Sequence, residues 1–358
     1  QNNVQGGGDM GAIPNRFPGF QEVANPEYRA KFEKAWGVSL PPTPGWHISL
    51  MLEAMDRGDL RCLYVIGENP AQSEADAKRT HELLEGLDHL VVQDIFLTRT
   101  AEMADVVLPA AAAWAECEGT VTSSERRVQR VRKALDPPGE AKDDIEILCA
   151  LARSLGHDWR TPAAEEIWNE LRSLSPMHGG MSYERLERLG GLQWPCGDEN
   201  DPGSPFLHGR LWKRPVEGMK APFHAVEHDP PVDALTEEFP IRLTTGRRLD
   251  SFNTGVQTGG YASPRRKGET LDVSPSDARK LDLAEGERVR VISRRGEVEA
   301  PVRFDPNLRP GLAFLTLHFP DDVDTNQLTI EAWDPKSGTS EFKATAIRIE
   351  KLGTPVPT

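Results

Sequence analysis

Residues 62–70 read Cys-Leu-Tyr-Val-Ile-Gly-Glu-Asn-Pro, a short apolar run that breaks into a turn. Such a run is shorter than an ordinary helix, and it predicts a buried strand that ends in a loop. Similar runs follow at 87–92 and 105–108, and the spacing between them predicts helices at 74–84 and 98–103. Strands that alternate with helices at these lengths predict parallel β-α-β units, and therefore an α/β fold.

Polar residues directly follow two of these predicted strands. Open α/β sheets bind ligands in the loops after the carboxyl ends of their strands. Carboxylates and amides in such loops supply the acceptors and donors that a guanine base or a ribose needs. Ordinary loop polarity explains the same pattern, and the pattern alone does not separate the two interpretations. The candidate residues are Gly67, Glu68, Asn69, Gln93, Asp94 and Thr98.

Further helices complete a first predicted domain over 1–155. Residues 26–36 and 46–57 have helical spacing, and an amphipathic helix is predicted at 143–155. Asp144 lies in the first turn of this last helix, where negative charge is favourable.

A helical and irregular connector is predicted for 156–238, where the hydrophobic periodicity fades. Two helices are expected inside it, at 163–173 and 182–189. The stretch 195–205 is rich in Pro, Gly and Asp, which is typical of a connecting segment.

The last third of the chain has the alternating pattern of β structure. A hairpin is predicted around Arg295-Gly296, because apolar residues alternate along 288–293 and 297–304 on either side of it. With the neighbouring strands it predicts a compact mixed barrel over 239–351, followed by a tail at 352–358. The other elements expected in the barrel are strands at 241–244, 312–317 and 342–349 and a helix at 276–281 capped by Ser274.

A second polar cluster lies at the end of the first barrel strand. Arginine and lysine side chains around a glycine turn suit a phosphate or pyrophosphate. Ordinary surface charge is the alternative, and the sequence pattern favours neither. The residues are Thr245, Gly246, Arg247 and Arg248, with Asn326 and Lys343 further along the chain.

Three formal motif matches lack the context that their chemistry needs. Residues 6–11 match the dinucleotide pattern G-x-G-x-x-G, but neither a strand before them nor a helix after them is evident, so a tight loop is expected. Residues 224–228 match H-x-x-E-H, but the prolines around them leave little room for a zinc-binding helix. Glu116 and Glu118 form a carboxylate pair typical of a solvated loop. No metal ligand is therefore predicted in this chain.

The composition indicates a globular protein that binds no nucleic acid. The 358 residues carry a formal net charge of −14, with a pI of about 5.2 and a mean hydropathy of −0.51. Nucleic-acid binding rests on clustered Lys and Arg, and no apolar stretch approaches the ~20 residues of a membrane helix, so no membrane insertion is expected. The four cysteines are scattered without a C-x-x-C pair, which is typical of a reducing, cytoplasmic location.

The opening residues Gln1-Asn2-Asn3-Val4-Gln5-Gly6 resemble a motif of molybdenum or tungsten formate dehydrogenase catalytic subunits. Further matches occur in order along essentially the whole chain, and as an ordered set they are specific. The ending is similar to the NAD-linked branch of this family, which is part of the molybdopterin oxidoreductase (dimethyl sulfoxide reductase) superfamily. The matching stretches are 67–70, 92–98, 104–109, 118–120, 125–129, 318–320, 326–328, 334–335 and 342–343.

The resemblance implies a Rossmann-like cofactor domain followed by a double-psi β-barrel. It implies two molybdopterin guanine dinucleotides carrying Mo or W, and the two-electron oxidation of formate to carbon dioxide. Electrons would pass through iron–sulfur clusters to a flavin-containing diaphorase partner that reduces NAD. On this alignment Gln1 and the strand-end residues border one cofactor, and Asp144 meets a guanine edge. The positions near the second cofactor are Gly246, Arg247, Asn326, Phe342 and Lys343.

The catalytic parts of the family are expected before Gln1. They are the metal-ligating Cys or selenocysteine, its neighbouring His, the Arg that holds formate, and the cysteines of a 4Fe-4S cluster. The chain alone is therefore expected to be inactive, with the rest of the same subunit as a partner. Gly8 stands where many relatives carry Cys, and Asn69 stands where some carry Asp. An amide at position 69 changes the hydrogen-bond pattern offered to guanine.

Two alternative functions stay open at this point. A non-catalytic scaffold subunit of an electron-transfer complex would keep the fold without molybdenum. The presence of Asp144, Gly246 and Arg247 argues against this alternative, because an empty pocket need not keep them. Another molybdopterin oxidoreductase, such as a nitrate reductase, would share the fold, but the opening motif favours formate.

Overall fold

A computed structural model of the chain describes most of its residues. Gln1, to which the sequence assigns a cofactor contact, lies outside the described residues. So do 207–222 of the predicted connector and 353–358 of the predicted tail. The described residues are 3–206, 223–248, 251, 254 and 268–352.

The chain divides into two compact units, and each unit combines two separate stretches of sequence. The first unit comprises Gln1–His47 and Leu108–Ala225, and the second comprises Ile48–Val107 and Val226–Thr358. The chain therefore passes between the units three times. The linear division into domains at 155 and 238 stays a prediction.

The predicted helices and strands all recur in the structure, with ends displaced by a few residues. From the start they are α1 (Val4–Asp9), β1 (Arg16–Phe17), β2 (Gln21–Glu22), α2 (Pro26–Trp36), α3 (Ile48–Asp56), β3 (Cys62–Ile66), α4 (Pro70–Ser73), α5 (Ala77–Glu85), β4 (His89–Asp94), α6 (Arg99–Glu102), β5 (Val106–Pro109), β6 (Gly119–Thr122), β7 (Arg127–Val131) and α7 (Asp144–Ser154). Then follow α8 (Ala164–Leu174), α9 (Tyr183–Leu189), β8 (Leu192–Gln193), β9 (Ile241–Gly246), β10 (Leu271–Val273), α10 (Pro275–Lys280), β11 (Arg288–Ile292), β12 (Glu297–Phe304), β13 (Leu312–Thr316), a 3-10 helix (Thr325–Gln327) and β14 (Thr345–Lys351).

Helix α2 of the first unit shows how local sequence sets the ends of an element. The side chain of Asn25 accepts two main-chain N–H groups of the first turn, and Pro26 occupies the first helical position. The helix ends at Gly37, whose φ of 68° is left-handed and suits a glycine. Its buried Phe32 stacks on Phe17 of β1, with ring centroids 4.6 Å apart. The capping contacts thus explain where this helix begins and ends, and the buried Phe32 explains which face packs against β1.

The rest of the first unit is built on an antiparallel sheet with the strand order β6-β7-β8. Val128 of β7, Trp168 of α8 and Leu186 of α9 belong to one hydrophobic core. The Trp168 indole donates to the main-chain oxygen of Met181 at 2.6 Å, so the buried ring is also hydrogen-bonded. The predicted connector thus contributes packed elements to a core of this unit.

The expected tight loop at residues 6–11 is wrong, because most of the glycine run lies in α1. Glycine inside a helix is unfavourable on entropy grounds. Here, tertiary hydrogen bonds hold the segment in place. The Asn3 side chain accepts the N–H of Thr122 at 2.8 Å, and the Trp194 indole donates to the carboxylate of Asp9 at 2.7 Å. Helix propensity is a weak constraint that such contacts override.

Strands β3 and β4 of the second unit belong to a sheet with the order β3-β4-β5. β3 and β4 are parallel, with Cys62 opposite His89, which confirms the predicted parallel pairing. β4 lies between the other two strands, and its Leu90 and Val92 are fully buried. β3 lies at an edge of this sheet, so only its Val65 is buried. The expectation of a buried strand at this position is therefore wrong, although the strand itself is present.

The second unit also contains a closed six-stranded barrel, as the sequence predicts for its last third. The strand order is β10-β12-β11-β14-β9-β13. β9 pairs in parallel with β13 and antiparallel with β14, so the end of β9 lies at the barrel rim beside both neighbours. The apolar side chains that alternate along the strands fill the barrel interior. Among them Leu243, Val289, Ala300, Leu315 and Ile347 have no solvent exposure.

No helix in the described ranges has the length and apolar character needed to cross a membrane. All four cysteines are free thiols, with Cys149 and Cys196 buried and Cys62 exposed. The two units are therefore stabilised by their cores and hydrogen bonds and not by disulfide cross-links.

Candidate functional site

The loop after β3 is shaped by a glycine and a buried glutamine. Gly67 has a φ of 64°, and its N–H donates to the main-chain oxygen of Gln93 at 2.8 Å. The Gln93 side chain is fully buried and accepts a hydrogen bond from the Tyr64 hydroxyl. These two predicted residues therefore lie together and fix where the loops after β3 and β4 begin.

Asn69 joins the two loops from inside the protein. Its side-chain NH2 donates to Gln72 at 2.7 Å, and its oxygen accepts from the N–H and the hydroxyl of Thr100 at 3.1 and 2.7 Å. Thr98 caps α6 by accepting the N–H of Ala101 at 3.1 Å. Both predicted residues are buried, and both position the loops rather than present their polar atoms to solvent. A direct cofactor contact by Asn69 or Thr98 stays a prediction.

Three carboxylates remain available at these loops. Burial raises the pKa of Glu68, and the nearby charge of Asp94 raises it further. Burial also raises the pKa of Asp94, although the main-chain N–H groups of the next two residues oppose the rise. Glu74, which the sequence analysis did not single out, has a pKa raised by burial and by the neighbouring Glu68. Carboxylates in this setting are suited to accept hydrogen bonds from ribose hydroxyls or from a base N–H.

Three exposed apolar side chains follow Asp94 in the sequence. Ile95, Phe96 and Leu97 are 50%, 42% and 68% exposed, although large apolar side chains are usually covered. In the sequence these apolar residues directly follow the polar residues at the end of β4. Exposed apolar side chains next to carboxylates suit a nucleotide base, whose ring can pack on the apolar groups while its polar edge bonds to the carboxylates.

The second predicted cluster lies at the barrel rim. The Thr245 hydroxyl donates to the main-chain oxygen of Phe342 at 2.9 Å, and the Lys343 ammonium donates to the main-chain oxygen of Thr245 at 2.8 Å. A Cβ atom on Gly246 would lie 2.7 Å from the ring of Phe314, so a larger residue here requires that ring to move. The structure thus brings four of the predicted residues together at the end of β9.

Two cations at this rim have unused hydrogen-bonding capacity. Arg247 is exposed and has neither an ion pair nor a hydrogen bond to any described residue. Burial lowers the pKa of Lys343, and the positive charge of Arg247 lowers it further. Two positive charges that destabilise each other are stabilised by an anion placed between them, and guanidinium and ammonium groups are the usual phosphate ligands.

The Arg248 side chain binds to other residues of the barrel. Its guanidinium donates to the Thr270 hydroxyl at 2.6 Å and lies 3.2 Å from Asp272, which also pairs with Arg303. Its main-chain N–H donates to Nε2 of His318 at 2.8 Å. The terminal nitrogens of the guanidinium are thus already bonded inside the protein. This argues against the predicted phosphate contact for Arg248.

Asn326 is likewise internal. It is 2% exposed, and its side-chain NH2 donates to the main-chain oxygens of Gln72 and Ser73, each at 3.1 Å. Its own side-chain oxygen accepts from the hydroxyl of Thr329 at 3.3 Å. The structure therefore links this predicted barrel residue to the end of α4, and no sequence signal pointed to that link.

Asp144 lies in the first unit, half-buried in the first turn of α7. The helix is capped by Asp143, whose side chain accepts the N–H of Ile145 at 2.8 Å. Burial and a hydrogen bond to Asp143 raise the pKa of Cys117 to about 12, with the charge of Asp144 adding to the rise. Cys117 therefore remains a neutral thiol at physiological pH.

The remaining motif candidates do not form a metal site in the described part of the chain. His224 and His228 are exposed and lie in a segment without helix, as expected. Over the same described ranges, no group of three or more His, Cys, Asp or Glu side chains has a metal-binding arrangement.

Two family models match two separate parts of the chain. Residues 2–154 match the molybdopterin oxidoreductase model. Residues 241–346 match the molybdopterin dinucleotide binding domain model. The strand-end cluster thus falls in the first match and the barrel-rim cluster in the second.

Individual relatives match nearly the whole chain. The alpha subunit of F420-dependent formate dehydrogenase 2 from Methanococcus maripaludis is 42% identical over 357 residues, which cover 98% of this chain and 52% of the relative. Formate dehydrogenase H from Escherichia coli is 35% identical over 98% of the chain and 50% of its own length. The assimilatory nitrate reductase catalytic subunit from Bacillus subtilis is 34% identical over 98% of the chain and 50% of its own length. The chain spans about half the length of each.

A solved structure supports the fold. Acetylene hydratase from Pelobacter acetylenicus superposes on 90% of this chain and 49% of its own chain, with a TM-score of 0.64 and 18% sequence identity. At that identity the similarity concerns the fold alone.

Proposed function

Because this chain belongs to the molybdopterin oxidoreductase family, we propose that it is the cofactor-holding portion of a formate dehydrogenase alpha subunit. The observation that carries the proposal is the pair of exposed cations at the barrel rim. Arg247 directly follows Gly246, the last residue of β9, and its positive charge acts on Lys343 nearby. Guanidinium and ammonium groups are usual phosphate ligands, and both lie inside the stretch that matches a dinucleotide-binding domain, which supports a phosphate-binding role.

The side chains of the two clusters, together with Asp144, are chemically suited to bind two guanine dinucleotides. At the barrel rim, Arg247 and Lys343 would hold a pyrophosphate by charge. At the strand ends, Glu68 and Asp94 would accept hydrogen bonds from ribose or guanine, with Phe96 available for stacking. In the first unit, Asp144 would accept from a guanine edge, as the family resemblance implies. Each of these side chains is exposed or partly exposed, which is what contact with a nucleotide ligand requires.

The chemistry of formate oxidation would be supplied by the pterin-bound metal, Mo or W. The residues of this chain bind, orient and shield the cofactor. The metal-ligating Cys or selenocysteine, the formate-binding Arg and a 4Fe-4S cluster would belong to the rest of the subunit. We therefore expect the chain alone to be inactive. The finer fold proposal is a Rossmann-like parallel sheet and a barrel of the double-psi type.

Electrons would leave through iron–sulfur and flavin-containing partner subunits. Two acceptors are proposed for different reasons. The ending of the chain resembles the NAD-linked branch, whereas the relative at 42% identity is named as F420-dependent. A cytoplasmic location is proposed from the four free thiols, which are typical of a reducing compartment. Reduction of NAD and of F420 by the assembled enzyme, measured side by side with formate, would separate the two acceptors.

The test of the main proposal uses the intact subunit. Metal analysis is expected to find Mo or W, and acid release is expected to yield two guanine nucleotides per metal atom. Formate-dependent dye reduction is expected, without nitrate reduction. Absence of both metals would overturn the dehydrogenase proposal in favour of the scaffold alternative. Turnover of nitrate but not formate would favour a nitrate reductase, the alternative that a 34% identical relative supports.

A further inference from the structure

Arg99 binds the barrel loop that contains residues 318–329. From the start of α6 its guanidinium lies 3.0 Å from carboxylate oxygens of Asp324 and Asp321 and 3.3 Å from the main-chain oxygen of Pro320. The Asp324 side chain is only 10% exposed, whereas that of Asp321 is 71% exposed. Burial raises the pKa of Asp324, and Arg99 is the main group that opposes this rise.

Asn326 binds the other end of the same loop to α4. Its amide NH2 satisfies the main-chain oxygens of Gln72 and Ser73 at the end of that short helix. Terminal helix carbonyls lack partners within the helix, so a buried side-chain donor has a defined structural use there. Arg99 and Asn326 thus act on the same barrel loop from two helices, α6 and α4.

The two helices are also connected to each other. Asn69, directly before α4, accepts hydrogen bonds from Thr100 of α6. At its beginning the barrel loop reaches the barrel rim, because His318 accepts the N–H of Arg248, the neighbour of Arg247. Buried and partly buried hydrogen bonds, joined through the main chain of the barrel loop, therefore connect the strand-end cluster with the barrel-rim cluster.

We infer that Arg99 and Asn326 are positioning residues that hold the strand-end loops and the barrel rim together as one preorganised nucleotide cradle. The inference rests on the proposed nucleotide-binding function of the two clusters. Neither residue touches the nucleotide in this scheme. They fix the loops whose carboxylates and cations do, which lowers the ordering cost of binding. This role replaces the direct cofactor contact that the sequence assigned to Asn326.

The test compares variants of the intact subunit produced without cofactor, with GMP as the probe in calorimetric titration. Asn326→Ala and Arg99→Ala are each expected to weaken GMP binding about tenfold, because loosened loops must be ordered again on binding. Arg99→Lys keeps the charge but not the forked geometry, and is expected to recover part of the affinity. Amide hydrogen exchange of α4 and α6 is expected to speed up in both alanine variants without GMP.

Two controls separate positioning from a general loss of stability. Val289→Ala removes buried apolar volume inside the barrel and is expected to lower the melting temperature without changing GMP affinity. Arg57→Ala breaks an exposed ion pair with Asp59 and is expected to change neither. Unchanged GMP affinity and exchange in the Arg99 and Asn326 variants would refute the positioning role alone. Failure of the unaltered subunit to bind GMP would refute the nucleotide-binding proposal itself.

Discussion

The Lys343 ammonium donates to the main-chain oxygen of Thr245 at 2.8 Å, which joins the segment before β14 to the end of β9. This hydrogen bond fixes the ammonium beside Arg247, whose own side chain has no partner among the described residues. The barrel rim therefore keeps one cation in place by a main-chain contact and leaves the other available. An anionic ligand is the partner that we propose for these two cations.

Arg247→Gln is expected to weaken nucleotide retention without affecting the fold. Exposed cations without ion pairs contribute little to stability, so the melting temperature is expected to stay within about 1 °C. The loss of one charge-assisted phosphate contact is expected to weaken GDP binding by about tenfold. Titration of the cofactor-free intact subunit measures this loss. Arg309→Gln, at another exposed arginine of the second unit, is the matched control and is expected to bind GDP normally.

Asn69→Asp is expected to destabilise the strand-end loops. The change replaces the donor to Gln72 with an acceptor and puts a carboxylate at a position that is 4% exposed. A cost of about 2 kcal/mol follows from one lost buried hydrogen bond and an uncompensated polar group. Denaturant titration of the second-unit transition measures it. Equal stability of the two proteins would show that Gln72 reorients to donate.

Acid is expected to destabilise the first unit through His178. Burial lowers the pKa of this fully buried side chain from 6.5 to about 4, and its Nε2 has no hydrogen-bond partner among the described residues. Between pH 6.5 and 4, His178 is therefore protonated in the unfolded chain but stays neutral in the folded chain. Through this residue the free energy of unfolding is highest above pH 6.5. It decreases by on the order of 3 kcal/mol as the pH drops to 4.

Unfolding as a function of pH checks this expectation. His178→Asn can keep the hydrogen bond to Ser175, which lies 2.7 Å from the ring nitrogen Nδ1, and it does not titrate. Its stability curve is expected to be flatter between pH 4 and 6.5. His81→Asn, at an exposed site, is the control and is expected to keep the slope of the unaltered protein. Parallel curves for all three proteins would contradict the assignment.

Two glycines of the first unit are expected to respond oppositely to alanine. A Cβ on Gly180 would overlap the main-chain oxygen of Asp198, so Gly180→Ala must displace backbone and is expected to cost about 3 kcal/mol or more. Gly7 lies in α1 with open space around it, so Gly7→Ala is expected to be neutral or to stabilise the helix by up to about 1 kcal/mol. Thermal unfolding of the two variants gives the comparison directly.

The β-α-β order of 62–109 was predictable because its signals are local. Strand and helix periods, and the turn at 67–70, lie within a few residues of the elements that they define. The barrel hairpin around Arg295-Gly296 was predictable for the same reason. The short strand β10 was not, because three residues do not establish an alternating pattern.

The contacts that organise the candidate site were beyond sequence reasoning. Asn326 meets Gln72 across 254 positions of sequence, and Arg99 meets Asp324 across 225. A polar residue chosen from a motif is either exposed to a ligand or used inside the fold, and only long-range geometry decides between these. Arg247 and Arg248 are neighbours in sequence, yet the first is exposed and the second is paired with Asp272.

The alternation of the two units along the chain has a consequence for how the protein is made. On the ribosome, residues 48–107 emerge long before the barrel with which they form one compact unit. Their two short helices, α4 and α6, must wait for the loop at 318–329, whose Asp324 is made 225 residues after Arg99. Contacts over such separations form slowly, because a long loop must close first. Completion of the nucleotide cradle is therefore expected to be a late folding event, which would make cofactor insertion a step that follows translation.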